Sequence, residues 1–130
     1  MIHEIGNASA GQNFEYIDLS YLERMTSGNE KFIVDMLQIF LDMFPQAMRA
    51  MKLSLDNKNA KDLYQVAHKM KSSFRILGNN ELIELATLVD KESVVETPDW
   101  DRLNKDVNRM ISLGELAIPE VKNVIAKFTG

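Results

Sequence analysis

The chain has 130 residues, of which 45% are hydrophobic and 26% charged, and this balance is typical of one soluble globular domain. The net charge of -4 argues against a nucleic-acid-binding protein, because such proteins bind phosphates largely through lysine and arginine. The absence of cysteine excludes disulfides and cysteine-ligated metal sites. No apolar run approaches the roughly 20 residues that span a bilayer, so we expect a cytoplasmic protein without a membrane anchor.

The first part of the chain differs in composition from the rest. Residues 1–15 are polar, contain glycine, serine and asparagine, and show no periodicity, which predicts a mobile N-terminal arm. Residues 16–130 are expected to form one helical domain. A short helix is predicted to open at Asp18, a good N-cap, and to end near Thr26.

A long amphipathic helix is predicted next. Ser27 and Glu30 have the spacing of a capping box, which satisfies two free backbone donors at a helix start. Apolar residues then follow at the three-four spacing of one helix face: Ile33, Met36, Leu37, Phe40, Phe44, Ala47, Met48, Met51 and Leu55.

The third predicted helix has clear signals at both ends. Asn59 is expected to cap its start, and Gly78 is expected to end it in the left-handed conformation. Asn79 or Asn80 can then cap a fourth helix. The apolar stripe of the third helix consists of Ala60, Leu63, Ala67, Met70, Phe74 and Leu77, and that of the fourth consists of Leu82, Leu85, Ala86 and Val89.

The last predicted helix begins at Thr97-Pro98, read as a cap followed by proline at the first helical position. Its apolar spacing persists across Pro119, which predicts a kinked but continuous helix and not two helices. The connections are short, so sequential helices are expected to be antiparallel neighbours. The predicted fold is all-α: an up-down antiparallel four-helix bundle with a short additional N-terminal helix.

His68 is the chemically unusual position of the predicted bundle. On a helical projection it points roughly 140° away from the apolar stripe of its helix, at about 100° per residue. An exposed neutral imidazole offers a nucleophilic nitrogen that can accept a phosphoryl group and release it again. Lys71 lies one turn on and could reach phosphoryl oxygens, while Lys69 and Arg75 raise the local positive potential.

The two serines that follow Lys71 leave room beside the ring. Ser72 lies one turn from His68 on the same side, so a partner's active site could close there. A simpler interpretation stands beside this one, because a surface histidine near lysine and arginine is common on ordinary helices. Ser73 and its neighbour could equally be small residues at a helix crossing.

The stretch Ala67-His-Lys-Met-Lys-Ser-Ser-Phe-Arg-Ile-Leu-Gly78 resembles the signature of the histidine-containing phosphotransfer (HPt) family, His-x-x-Lys-small-Ser followed by Leu-Gly. The resemblance covers about residues 16–95, and the last helix matches only in being a helix. It implies that His68 is the phosphoacceptor, that Lys71 assists by charge and that Gly78 is structural. Phe74 and Arg75 are bulkier than the residues often found after the serines.

The same resemblance implies a phosphocarrier and not an autonomous enzyme. The partners would be response-regulator receiver domains and a hybrid histidine kinase. The receiver would bring the aspartate and the magnesium, so we expect no cofactor and no metal of the chain's own. Surplus apolar residues of the second helix could form a docking patch or pack against the front helix through Leu22 and Met25: Phe32, Ile39, Leu41 and Met43.

Two alternatives remain open at the level of sequence. The first is a helical interaction module without phosphate chemistry, which would not require His68 together with Lys71. The second is a small hydrolase with Ser72 or Ser73 as nucleophile, for which no Gly-x-Ser-x-Gly motif and no second histidine nearby are present.

Overall fold

The computed structural model describes residues 14–130, which form five α-helices and contain no β-strand. We number them α1 (Ser20–Met25), α2 (Glu30–Asp56), α3 (Ala60–Leu77), α4 (Asn80–Ser93) and α5 (Trp100–Thr129). Helix α3 packs between α2 and α4, and α5 packs against both α4 and α2, which closes the bundle. The short α1 contacts α3. The predicted four-helix bundle with an additional N-terminal helix is confirmed.

One continuous hydrophobic core runs between the four long helices. The apolar stripes predicted for α2, α3 and α4 are the faces that are turned inward, with only Met36, Ala47 and Ala60 partly exposed. Helix α5 continues through Pro119 without a break and buries one stripe along its length, which confirms the predicted continuous helix. Its buried residues are Leu103, Val107, Met110, Leu113, Gly114, Ala117, Val121 and Val124.

The ends of α3 follow the predicted capping signals. The side chain of Asn59 accepts a hydrogen bond from the backbone N–H of Asp62 at the start of the helix. Gly78 ends it in the left-handed conformation, with φ of 70°. Asn79 is the residue that caps α4, since its side chain accepts from the N–H of Leu82.

Three predicted helix caps are wrong, that of α1 by one residue and those of α2 and α5 by two residues each. Helix α1 begins at Ser20 with Leu19 in the N-cap position, and the Asp18 carboxylate accepts a hydrogen bond from the Ser20 N–H. Helix α2 is capped by Asn29, because Ser27 adopts a φ of 54° that is incompatible with a capping position. Helix α5 starts at Trp100.

The start of α5 differs from the prediction because a stronger cap competes. The side chain of Asp99 accepts from the N–H of Arg102, so Asp99 is the N-cap. Thr97 and Pro98 lie in the connection before it. Threonine and aspartate both cap helices, and the sequence alone did not distinguish between them.

The segment before α1 closes one end of the bundle. The Asp18 N–H donates to the Leu77 carbonyl at 2.7 Å, and the Asn79 side chain donates to the Tyr16 carbonyl at 2.8 Å. The backbone N–H groups of Glu15 and Tyr16 both donate to the carboxylate of Glu120 on α5. The predicted arm falls almost wholly on residues 1–13, which lie outside the described residues.

Two glycines allow close approaches that position these elements. A Cβ on Gly78 would lie 2.1 Å from the carbonyl oxygen of Asp18, and a Cβ on Gly114 would lie 2.2 Å from the ring of Phe44. The first contact holds the N-terminal segment against the end of α3, and the second brings α5 close to α2. Within residues 14–130, no helix is long and apolar enough to cross a membrane.

Candidate functional site

His68 is the ninth of the eighteen residues of α3 and projects from the outer side of that helix. Its neighbours Ala67 and Met70 are buried in the core, whereas the His68 side chain is 57% exposed. Backbone hydrogen bonds of a regular helix hold it from both sides. The predicted exposed imidazole in the middle of a helix is confirmed.

The imidazole of His68 meets a carboxylate from the next helix. Its Nδ1 atom lies 3.0 Å from Oδ2 of Asp90 on α4. The Asp90 side chain is only 12% exposed, so the carboxylate is largely shielded from solvent although the ring that it contacts is exposed. Our sequence interpretation did not include Asp90, which lies 22 positions away in the chain.

Lys71 shares the same carboxylate oxygen. Its Nζ atom lies 2.7 Å from Oδ2 of Asp90, and the lysine side chain is 24% exposed. Burial by itself raises the pKa of Asp90, but the hydrogen bonds and charges of Lys71 and His68 outweigh it and leave the pKa below its ordinary value. The carboxylate is therefore ionised at neutral pH, and the ammonium group of Lys71 and the ring of His68 both contact its Oδ2 atom.

An aromatic ring covers one face of the imidazole. Tyr64, one turn before His68 on α3, stacks on it with ring centroids 5.5 Å apart and planes inclined by 25°. Since Asp90 holds one edge of the ring and Tyr64 one face, the orientation of the imidazole is fixed from two directions. Tyr64 was not singled out in the sequence, although the four-residue spacing to His68 predicts such contact on a helix.

The other predicted residues around His68 separate into exposed and buried ones. Lys69, Ser72 and Arg75 are exposed, as expected for the outer side of α3. Ser73 is only 9% exposed, which agrees with its interpretation as a small residue at a helix crossing. Gly78 lies at the C-terminus of the helix and makes the structural contact with Asp18 described above.

The surplus apolar residues of α2 differ in exposure. Phe32 is 55% and Ile39 is 50% exposed, whereas Leu41 packs against the core and Met43 is partly buried. Ile39 on α2 is further from the turn at 57–59 than His68 on α3, by roughly 14 Å along the bundle axis. Two other exposed apolar residues, Val94 and Val95, follow the end of α4 and begin one helical turn beyond Asp90.

The described residues do not contain a cluster suited to holding a metal ion. No group of three or more histidine, aspartate or glutamate side chains comes together within residues 14–130. The polar cluster at His68 consists of one imidazole, one ammonium group and one carboxylate. The ammonium group is paired with the carboxylate, and the ring nitrogen that does not face Asp90 is available to an electrophile.

The fold and this cluster define a helical bundle that presents one histidine on the surface of a central helix. A family model described as the Hpt domain matches residues 35–113, which is more than half of the chain and includes the whole cluster. The chain belongs to the Hpt domain family, and membership supports a role in histidine phosphotransfer within phosphorelays. No curated protein and no solved structure matches the chain significantly.

Proposed function

We propose that this protein carries a phosphoryl group on His68 and passes it between the aspartates of receiver domains. The observation that carries the proposal is an imidazole 57% exposed, held by Asp90 and flanked by Lys71, in a chain of the Hpt domain family. Phosphoryl transfer runs through a loose transition state in which positioning and charge neutralisation supply most of the catalysis. The site offers both.

In this proposal each residue around the ring has a separate role. His68 supplies the attacking nitrogen. Lys71 lies one turn further along α3 and brings an ammonium group that neutralises phosphoryl oxygens, while Lys69 and Arg75 add positive potential from the exposed surface. The small Ser72 leaves the approach to the ring open. The receiver would supply the aspartate and its magnesium.

The protein would act as a carrier that depends on its partners. The sequence has no Gly-x-x-x-x-Gly-Lys phosphate loop, so a hybrid histidine kinase or its receiver is the proposed source of the phosphoryl group. From the receiver aspartate the group would pass to His68, and from there to a second receiver. The alternative is a phosphorylation-independent interaction module on the same fold.

The test is phosphoryl transfer from purified receiver domains to the wild-type chain and to two matched variants. His68→Gln should abolish labelling, whereas His3→Gln, which removes the other histidine of the chain, should leave it unchanged. The label should be lost in acid and kept in alkali, as expected of a phosphohistidine. Label that persists in His68→Gln, or no label on the wild type with any receiver of the source organism, would contradict the proposal.

The contact with a receiver is expected to extend from His68 toward the end of α4. Val94 is 63% exposed and lies one turn beyond Asp90, at the level of Tyr64 on the antiparallel α3. Apolar surface beside the acceptor suits a protein partner. Val94→Lys should slow transfer from a receiver, whereas Leu116→Lys, which changes an exposed apolar residue of α5, should not.

A further inference from the structure

We infer that Tyr64 sets how firmly the site retains the phosphoryl group, because its aromatic face stabilises the positive charge that the His68 ring gains on phosphorylation. The inference rests on the proposed function for its biological meaning. Its physical basis is the stacked pair of rings, with centroids 5.5 Å apart and planes inclined by 25°. Neither the family match nor the sequence motif assigns a role to Tyr64.

Tyr64 belongs to the surroundings of the imidazole and not to the core. Its side chain is half-buried, and among the described residues it is neither part of the hydrophobic core nor one of the partly buried side chains that pack against that core. It precedes His68 by four residues on α3, the spacing at which side chains of one helix contact each other. A substitution at position 64 therefore changes the surroundings of the imidazole and leaves the core in place.

Phosphoryl transfer changes the charge of the imidazole. The ring nitrogen that does not face Asp90 forms the N–P bond with its lone pair. The P–O bond to the receiver's aspartate breaks, and its electron pair leaves with that carboxylate. The other ring nitrogen keeps its hydrogen, so a neutral ring becomes a cation while it remains stacked on Tyr64.

The carboxylate beside the ring has to balance two cations once this charge exists. Oδ2 of Asp90 lies 2.7 Å from the ammonium of Lys71 as well as 3.0 Å from the ring of His68. Within residues 14–130 no second acidic side chain joins His68 and Asp90 in a cluster. An aromatic face attracts a cation that lies within about 6 Å of its centroid, and the stacked imidazole is 5.5 Å away. The face of Tyr64 is thus a second group that favours the charged ring.

Stabilisation of the charged ring can be distinguished from mere orientation of the ring. A contact that is equally strong with the neutral and with the phosphorylated imidazole leaves the equilibrium between them unchanged. A contact that is stronger with the charged imidazole moves that equilibrium toward phosphohistidine. The equilibrium constant for phosphorylation of His68 therefore tests the inference, whereas the rate of transfer alone does not.

The experiment measures this equilibrium without a partner protein. Phosphoramidate, a small-molecule phosphoryl donor, loads the wild-type chain, and the phosphorylated chain is then equilibrated with an excess of free imidazole. The N–P bond to His68 breaks as an N–P bond to imidazole forms, so one charged ring replaces another. Phosphorus NMR gives the fraction of phosphoryl groups on each ring, and free imidazole serves as the ring without a tyrosine.

Three substitutions at position 64 separate the aromatic face from the other properties of the side chain. Tyr64→Leu and Tyr64→Gln remove the face, one with an apolar and one with a polar replacement. Each should lower the equilibrium constant for phosphorylation of His68 about twofold to fivefold, as expected for a cation–π contact at an exposed site. Tyr64→Phe keeps the face and should restore the wild-type value. An unchanged constant in Tyr64→Leu and Tyr64→Gln, or an equal loss in Tyr64→Phe, would overturn the inference.

The stacked geometry has its own spectroscopic signature. Protons above an aromatic face are shielded, so proton NMR should show the ring protons of His68 further upfield in the wild type and in Tyr64→Phe than in Tyr64→Leu. Tyr21→Leu is the matched control, because it removes a tyrosine of α1 that is 36% exposed, and it should leave both the shifts and the equilibrium unchanged. Equal shifts in the wild type and Tyr64→Leu would contradict the stacking on which the inference depends.

The proposed function can fail separately from this inference. If no receiver transfers a phosphoryl group to the wild-type chain, the relay role is wrong, while the partition between His68 and free imidazole still decides the role of Tyr64. If receivers do transfer and the partition is the same in all variants, the relay role stands and the inference about Tyr64 is wrong.

Discussion

Lys71 and Asp90 form the shortest ion pair among the described residues, with Nζ 2.7 Å from Oδ2. The pair joins α3 to α4 at the level of His68, and both side chains are mostly shielded from water, at 24% and 12% exposed. A pair in this position is expected to contribute to the stability of the fold, and its contact with His68 makes it part of the proposed phosphotransfer site.

The stability contribution of Asp90 should depend on pH. Its pKa is depressed from the ordinary value of 3.8, because Lys71 and His68 outweigh the effect of burial. A group with a depressed pKa stabilises the folded state above its unfolded pKa, and this stabilisation is lost as the pH falls through the folded value. Asp90→Asn should therefore be less stable at neutral pH by about 1–2 kcal/mol. Urea unfolding measures this difference.

The difference between Asp90→Asn and the wild type should narrow once the pH falls below 3.8. In acid the wild-type carboxylate is protonated and resembles the amide in charge. Asp106→Asn is the control: burial raises the pKa of Asp106, so its ionised carboxylate does not stabilise the fold and its removal should not lower stability at neutral pH. A difference between Asp90→Asn and the wild type that stays the same at every pH would exclude the ion pair as its cause.

Removal of the charge of Lys71 should slow phosphoryl transfer more than removal of the charge of Lys69. Lys71→Gln should slow the transfer from a receiver to His68 about tenfold, since an ammonium group near the phosphoryl oxygens stabilises the transition state. Lys69 is exposed and lies two residues before Lys71. Lys69→Gln should change the transfer rate less than threefold, as expected for a screened surface charge. Rapid-quench kinetics measures both. Equal effects of the two variants would argue against a specific role for Lys71.

A bulky residue at position 72 should block the partner but not the nucleophile. Ser72 is exposed one turn from His68, so Ser72→Phe should change the unfolding free energy by less than about 0.5 kcal/mol. Transfer from a receiver should fall strongly, because the added ring obstructs the approach of a protein. The reaction with phosphoramidate should persist, since a small donor still fits. Loss of both reactions would show that the substitution disturbs His68 itself.

Gly78→Ala should destabilise the fold. The residue has a φ of 70°, and an added Cβ would lie 2.1 Å from the carbonyl oxygen of Asp18, which is backbone and cannot rotate away. The combined strain and overpacking should cost about 2–4 kcal/mol. Urea unfolding measures the cost, and Gly130→Ala at the chain end should cost far less. A Gly78→Ala variant as stable as the wild type would mean that the N-terminal segment does not pack where we describe it.

The fold was predictable because its signals are local. Apolar spacing identified the buried faces of α2 to α5, and Asn59 and Gly78 marked the ends of α3. The errors fall where two signals compete within three residues. Ser27 and Asn29 are both good caps, and only the backbone conformation of the preceding turn, with Ser27 at a φ of 54°, decides between them.

Only the part of the candidate site that lies on α3 could be predicted from the sequence. The exposure of His68 follows from the apolar stripe of its own helix, whereas its contact with Asp90 depends on the register between two helices. One signal in the sequence does indicate Asp90. It lies four residues after Ala86 and eight after Leu82, at the edge of an otherwise apolar stripe. A carboxylate in that place requires a partner, but the sequence does not say which one.

The place of His68 within α3 has a consequence for any protein that docks on it. Eight helical residues precede it and nine follow it, so its backbone cannot rearrange without unwinding the helix. The backbone around His68 loses its conformational entropy when the bundle folds, so little more is lost when a complex forms. A receiver that exchanges a phosphoryl group with His68, as we propose, would therefore meet the same rigid backbone each time, and any adjustment of shape would fall to the receiver.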